Sequence, residues 1–289
     1  MATQTWFVTG ASAGIGRTVV EQLLDAGRRV AATARKPEVL DDLKEQYPGL
    51  LWTTALDVTD TAALREVVGR AFAELGRVDV VFSNAGRGAV GAAEELSDEA
   101  IDEQIALNMT APIQLFRAVV PYLRAQGGGR FIQTSTMGAH ISGPGAGMYH
   151  ASKWGVEGFL ESVIGEVAPF GIGVTMIEPG VIRTGFGASL SVAEPLPVYA
   201  DTPVGQVHQA VRAAGNLTAE APGDPVKVAA AIIDSAGTEP ALRRVALGSD
   251  AHAAIRAALT RRLEEVDAGQ ALARSIDFPV GQALRPAQT

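Results

Sequence analysis

The sequence predicts an α/β fold: a doubly wound parallel sheet with helices on both faces, in a single domain. Three observations predict it. Short apolar runs alternate with amphipathic stretches along most of the chain. The runs are rich in β-branched or aromatic residues, as buried parallel strands are. The 289 residues, 47% hydrophobic and 19% charged, suit one large domain with a substantial core.

In chain order the predicted strands are Trp6 to Val8, Val30 to Thr33, Leu50 to Ala55, Val78 to Phe82, Arg130 to Thr134 and Ile172 to Ile177. Thr61 to Leu75 has the clearest helical period, with Leu64, Val67, Val68, Ala71, Phe72 and Leu75 on one face. Asp60 stands where it can cap the start and Gly76 the end. From Gly185 to Pro225 the alternation stops. This stretch is poor in charge and holds Pro195, Pro197, Pro203 and Pro222. A loop so long in a compact domain reads as a substrate-binding lid. The alternation resumes with a helix from about Asp224, a strand near Arg244 to Leu247 and a helix from about Asp250 to Ala271. Ile255, Leu259, Leu263 and Val266 form an apolar stripe on that helix, read as packing onto its own domain or a sister subunit. Residues 250–289 make a C-terminal helix and tail.

A net charge of -8 argues against a nucleic-acid partner, which needs a positive footprint. With no cysteine, disulfides and thiolate metal ligands are excluded, and the scattered histidines predict no metal site. No apolar run reaches the roughly 18 residues of a membrane span. The opening MATQTWFVTG enters a strand without a basic and then apolar leader, so a cytoplasmic protein is expected.

The first strand runs into Thr9-Gly10-Ala11-Ser12-Ala13-Gly14-Ile15-Gly16, and a helix follows. This is where a dinucleotide fingerprint sits, with glycine spacing G-x-x-x-G-x-G. Gly10 allows the tight turn, Gly14 clears space for pyrophosphate, and Gly16 lets the helix pack on the strand. The helix N-terminus turns free N–H groups to the phosphates. A fold reading NAD(H) usually carries an acidic residue at the end of the second strand. Here Ala34-Arg35-Lys36 holds no carboxylate, and Arg35 stands where a 2′-phosphate would bind. With Ser12 as a further hydroxyl, NADP(H) is expected in preference to NAD(H).

Tyr149-His150-Ala151-Ser152-Lys153 opens another helical stretch, and a spacing of four puts Tyr149 and Lys153 on one face. A phenol ionises near pH ~10. A neighbouring ammonium is expected to lower that value and fit Tyr149 for general acid–base work.

These pieces together resemble the short-chain dehydrogenase/reductase superfamily, in its compact single-domain Rossmann branch. In order along the chain, Thr9 to Gly16 resembles the cofactor turn and Asp57-Val58 the pair that contacts adenine. Asn84-Ala85-Gly86 resembles the turn after the fourth strand, and Asn108 the helix asparagine. Ser135-Thr136-Met137-Gly138 resembles the serine segment, and Tyr149 with Lys153 the catalytic pair. Pro179-Gly180-Val181-Ile182-Arg183-Thr184 resembles the segment beside the nicotinamide. The resemblance covers residues 5–185 strongly and the rest in outline.

The resemblance implies roles. Tyr149 passes the proton to the carbonyl oxygen. Lys153 binds the nicotinamide ribose and lowers the Tyr149 pKa. Ser135 hydrogen-bonds the substrate oxygen. Asn108 holds a water that links Lys153 to solvent. Thr184 and the Pro179-Gly180 backbone fix the carboxamide and diphosphate, and Ile182 lies with them. Other readings stay open. Thr134 and Thr136 flank Ser135, so the register could differ by one, although S-x-x-G ending at Gly138 favours Ser135. Asn108 could bridge backbone, and Asp57 could cap a helix. His140 could reach the substrate pocket, whereas His150 points about 100° away around its helix.

The expected function is an NADP(H)-dependent oxidoreductase interconverting a ketone or aldehyde with an alcohol, on a substrate with a hydrophobic body. The resemblance also implies a homodimer or homotetramer. The rival from another class is an NADP(H)-binding redox sensor without turnover. Relatives of that kind usually lose the Tyr/Lys pair. An epimerase or dehydratase is disfavoured by the glycine spacing and the short tail.

Overall fold

The computed structural model describes residues 4–278. A fully buried strand, β1 (Thr5–Thr9), feeds the glycine turn that opens α1 (Gly14–Asp25). β2 (Arg29–Ala34), α2 (Asp41–Gln46), β3 (Leu51–Ala55) and α3 (Thr61–Leu75) follow. Next come β4 (Val80–Ser83), the two-residue β5 (Ala89–Val90), α4 (Asp98–Ile105) and α5 (Ala111–Ala125). β6 (Gly129–Thr134), α6 (Gly147–Val167) and β7 (Ile172–Pro179) build the next part. The remainder holds β8 (Ser191–Val192), α7 (Pro203–Ala214), α8 (Pro225–Ser235), β9 (Arg244–Leu247), α9 (Ser249–Ala268) and α10 (Gln270–Ser275).

Seven strands pair in parallel in the order β3-β2-β1-β4-β6-β7-β9. The chain order reverses between β1 and β4, which opens a crevice beyond their carboxyl ends. Strand side chains alternate between two cores. Phe7, Val81 and Phe131 pack with Leu64, Leu115 and Leu160 of α3, α5 and α6 on one face. Trp6, Val8, Phe82 and Ile132 pack with Val20, Leu23 and Ile232 of α1 and α8 on the other. Both faces are therefore covered, as an all-parallel sheet requires.

Residues 185–225 differ from the expected loop. Thr202 caps α7, accepting from Gly205 N at 3.4 Å, and Pro203 fills its first turn. β8 pairs in parallel with β5. The buried Glu95 carboxylate accepts from Leu196 N at 2.8 Å and meets Nε2 of the buried His208 at 2.8 Å. Those bonds tie the segment to the body of the domain.

The C-terminal stripe divides between buried and exposed residues. Ile255 is buried, but Leu259, Leu263 and Val266 are 47%, 61% and 71% exposed, so only the first turns of α9 pack onto their own domain. The helix expected to run to Ala271 breaks at Gly269 into α10. The tail beyond Phe278 lies outside the described residues.

The carboxylate of Asp60 accepts from both Ala62 N and Ala63 N at 3.0 Å, closing the start of α3. Asp60→Ala should cost about 1 kcal/mol in urea unfolding. A change below ~0.3 kcal/mol would show that solvent serves those amides equally well.

Candidate active site

A cleft of about 640 Å³ lies over the carboxyl ends of the central strands. Its floor is the turn between β1 and α1. Gly10 and Gly14 take φ of 65° and 55°, a region that disfavours side chains. A Cβ on Gly10 would sit 2.8 Å from Ala85 Cα, and one on Gly16 would collide with the Gly10 carbonyl and the Asn84 amide. Gly16 therefore lies behind the cleft and lets α1 close on the strand. No side chain caps α1 at Ala13, which leaves its first-turn amides facing the cleft end.

The strand ends are laced together. Thr9 Oγ1 accepts from Asn84 N at 3.0 Å and Ala85 N at 3.3 Å. Asn84 Nδ2 donates to Gly10 O at 3.1 Å, and Thr134 Oγ1 donates to Asn84 Oδ1 at 3.1 Å. Gly10, Ser12, Gly14, Ile15, Asn84, Ala85 and Gly86 all line the cleft. Arg35, Asp57 and Val58 line its far end. Asp57 accepts from Thr59 N at 2.9 Å and Thr59 Oγ1 at 2.6 Å, and these bonds, helped by Arg35, hold its carboxyl below the usual range. Asp60 is the cap of α3, so Asp57 is not needed for that role.

On the opposite wall, α6 presents Tyr149 and Lys153 one turn apart. Lys153 is buried and its Nζ donates to Thr134 O at 2.8 Å. Burial lowers its pKa to about 8, against the pull of the Glu157 carboxylate. The phenol of Tyr149 departs from expectation: burial pushes its pKa up, and the neighbouring Thr136 hydroxyl, not Lys153, is what opposes the rise. Lys153 gives one of its three N–H donors to the Thr134 carbonyl.

Ser135 and Thr136 both line the cleft, but their hydroxyls have different partners. Ser135 donates to Glu157 Oε1 in the interior. Thr136 accepts from Gly138 N at 3.1 Å. Asn108 is fully buried in a π-helical turn, 106–110, between α4 and α5. Its Oδ1 accepts from Arg87 N at 3.1 Å and its Nδ2 donates to Arg87 O at 2.7 Å, the backbone-bridging geometry.

The third wall is the segment after β7. Gly180 N donates to Leu247 O at 2.9 Å, and Val181 N donates to Asp250 Oδ2 at 2.8 Å. Pro179, Gly180, Ile182 and Thr184 line the cleft, and Phe186 brings its ring 6.1 Å from that of Tyr149. His140 does not reach the cleft; its Nε2 meets Glu178 Oε1 at 3.0 Å. His150 bonds Gly138 O at 2.8 Å through Nδ1. Sequence reasoning raised Thr136 only as a register alternative to Ser135 and did not raise Phe186 or Glu157. The Thr-Ser-Thr run was the one signal for the first, and the others come together only through the fold.

A family model described as short chain dehydrogenase matches residues 4–195. The oxidoreductase BOA17 of Botryotinia fuckeliana (strain B05.10) is 35% identical over 251 residues, which are 86% of this chain and 90% of that protein. A short-chain dehydrogenase structure from Streptomyces avermitilis is 38% identical, with a TM-score of 0.87 over 96% of this chain and 99% of that one. A metagenomic short-chain oxidoreductase in complex with NADP is 25% identical, with a TM-score of 0.67 over 84% of this chain and 96% of that one. With its parallel sheet, glycine turn and cleft, the chain belongs to the short-chain dehydrogenase family and is an oxidoreductase on the NAD(P)-binding fold of that family.

Proposed function

We propose that the enzyme interconverts a ketone or aldehyde with an alcohol, prefers NADP(H) to NAD(H), and uses Tyr149 as its general acid and base. The observation that carries this reading is that Tyr149, Lys153 and Thr136 line one glycine-floored cleft together with Arg35.

The residues present fit the cofactor. Positive φ at Gly10 and Gly14 and the uncapped start of α1 make a cradle for phosphates, with Ser12 and Ile15 beside it. Arg35 would take a 2′-phosphate with two parallel donors. Asp57 and Val58 would hold the adenine, and Asn84, Ala85 and Gly86 would back the central sugars. Lys153 would bind the nicotinamide ribose, and Pro179, Gly180, Ile182 and Thr184 the carboxamide end. When bound, NADPH supplies the hydride.

The chain's own residues supply the proton and the geometry. Tyr149 donates its phenolic proton to the carbonyl oxygen in reduction and takes it back in oxidation. Thr136 steadies the same oxygen by hydrogen bonding, the role first read onto Ser135, whose hydroxyl is spent on Glu157. Asn108 holds the Arg87 backbone and the wide turn behind Lys153. Residues 185–225 act as the lid, and Phe186 offers the apolar surface that a substrate with a hydrophobic body needs. The working form is a homodimer or homotetramer; the exposed Leu259, Leu263 and Val266 support association.

The reading is tested by NADPH oxidation against a panel of aldehydes and ketones. Tyr149→Phe should cut kcat by about 100-fold or more. Thr136→Val should cost about 100-fold. Both variants should still bind NADPH. NADPH binding without turnover on any carbonyl would point to a redox sensor. Arg35→Ala should raise KM for NADPH by roughly 10- to 100-fold and leave KM for NADH alone. An equal change for both cofactors would remove the claimed preference.

Burial of Lys153 also predicts a pH effect in the cofactor-free protein. The folded value is about 8 and the unfolded one 10.5. Between them the unfolded chain binds more protons, so the Lys153 contribution to stability rises with pH through that window. Thermal melts should show this rise relative to Lys153→Met. Parallel curves for the two proteins would contradict it.

A further inference from the structure

The last residue of β6 and the two after it face three residues spaced four apart on α6. The Thr134 carbonyl takes Lys153 Nζ at 2.8 Å, the Ser135 hydroxyl goes to Glu157 Oε1, and Thr136 lines the cleft with Tyr149. A spacing of four sets Tyr149, Lys153 and Glu157 on one face of the helix. The first and third rungs belong to the chemistry proposed above. The middle rung, Glu157, has no part in it yet.

Glu157 is 3% exposed, and a carboxylate so deep needs partners. The fold brings them from every side. Arg244 on β9 approaches Glu157 Oε2 at 2.9 Å through Nη2 and 3.1 Å through Nε. The same guanidinium lies 2.8 Å from Glu178 on β7 and pairs with Glu161 on α6. His140, in the turn after β6, stands 3.9 Å from Glu157 Oε2 and 3.0 Å from Glu178 Oε1. Arg262 on α9 donates to the His140 carbonyl and lies 4.2 Å over the Trp154 ring. Lys153 lies one turn away on α6, and the Glu157 charge favours its ammonium. His140, Glu157 and Glu178 are ligand types that could suit a metal, and their ligand atoms lie within 4.8 Å of one another. Arg244 already brings a positive charge to both carboxylates, so the group reads as an ion network.

Thr136 is extended, at φ -171° and ψ 158°, so its side chain and that of Ser135 leave the chain on opposite sides. Whatever fixes Ser135 therefore fixes Thr136. We propose that Glu157 is a positioning residue for the reaction: anchored by Arg244, it pegs Ser135, sets Thr136 against Tyr149, and keeps a negative charge beside Lys153. This rests on the roles proposed for Tyr149, Lys153 and Thr136.

Two variants separate the peg from the charge. Glu157→Gln keeps an acceptor for Ser135 and removes the charge. Ser135→Ala removes the peg and keeps the charge. The chain has four lysines, so competitive acetic anhydride labelling read by peptide mass spectrometry can follow Lys153 alone, without a substrate. In Glu157→Gln the Lys153 midpoint should fall below its wild-type value of about 8, because the carboxylate that favours the ammonium has gone. The alkaline limb of kcat should move the same way. In Ser135→Ala the midpoint should stay, KM for NADPH should hold within about twofold, and kcat on the carbonyl panel should fall about tenfold. A Lys153 midpoint unchanged in Glu157→Gln would overturn the charge role. Wild-type kcat in Ser135→Ala would overturn the peg, and a loss matching Thr136→Val would make Ser135 itself the oxygen-binding hydroxyl. If Glu157→Gln does not fold, Ser135→Ala still decides the peg. Because labelling needs no turnover, a shifted midpoint with an inactive wild-type enzyme would count against the reaction and not against Glu157.

Discussion

The top of the sheet depends on one side-chain amide. Asn84 sits where the strand order reverses, and its two ends face different neighbours. Its Nδ2 satisfies the Gly10 carbonyl, its Oδ1 takes the Thr134 hydroxyl, and its backbone N–H goes to Thr9. Strands that part at a crevice lose their ladder partners, and the polar groups left there must bond elsewhere. Asn84 closes that account for β1, β4 and β6 together. Thr134 then passes the connection on, since its carbonyl receives Lys153. The phosphate turn and the helix bearing Tyr149 are thus joined by a short chain of bonds through Thr9, Asn84 and Thr134. The demand for glycine at position 16 has the same source, because a side chain there would strike the Asn84 amide.

Much of this was legible in the sequence, for local reasons. The helix Thr61–Leu75 and its Asp60 cap follow from period and capping chemistry within a single element. Gly10, Gly14 and Gly16 announce themselves through backbone freedom. Tyr149 and Lys153 announce themselves through helical spacing. Less legible were features made by distance along the chain. Glu95 and His208 are 113 residues apart, and nothing local in either predicts the other. Ser135 and Thr136 are neighbours with the same functional group, and only the course of α6 decides which faces the phenol. The helix Pro203–Ala214 is a different case. Thr202 and Pro203 are a cap and a first-turn proline, and Gly215 ends the helix, yet the surrounding Gly and Pro content masked them.

The match to the family model ends at residue 195, but the site does not. Arg244 and Asp250 lie beyond that point. One pairs with Glu157 on α6, and the other holds the Val181 amide beside the cleft. The last strand and helix therefore supply charge and hydrogen bonds to a centre built by the first two thirds of the chain.

The rungs between β6 and α6 have a consequence for how errors in this site express themselves. Tyr149, Lys153 and Glu157 sit at successive turns of one helix, each about 6 Å further along its axis. A shift of that rod therefore moves all three relative to Thr136, Thr134 and Ser135 together, and no single side chain can restore the alignment by changing its own rotamer. Misalignment in this site is shared among three neighbours at once, so a disturbance far along α6 reaches the cleft undivided.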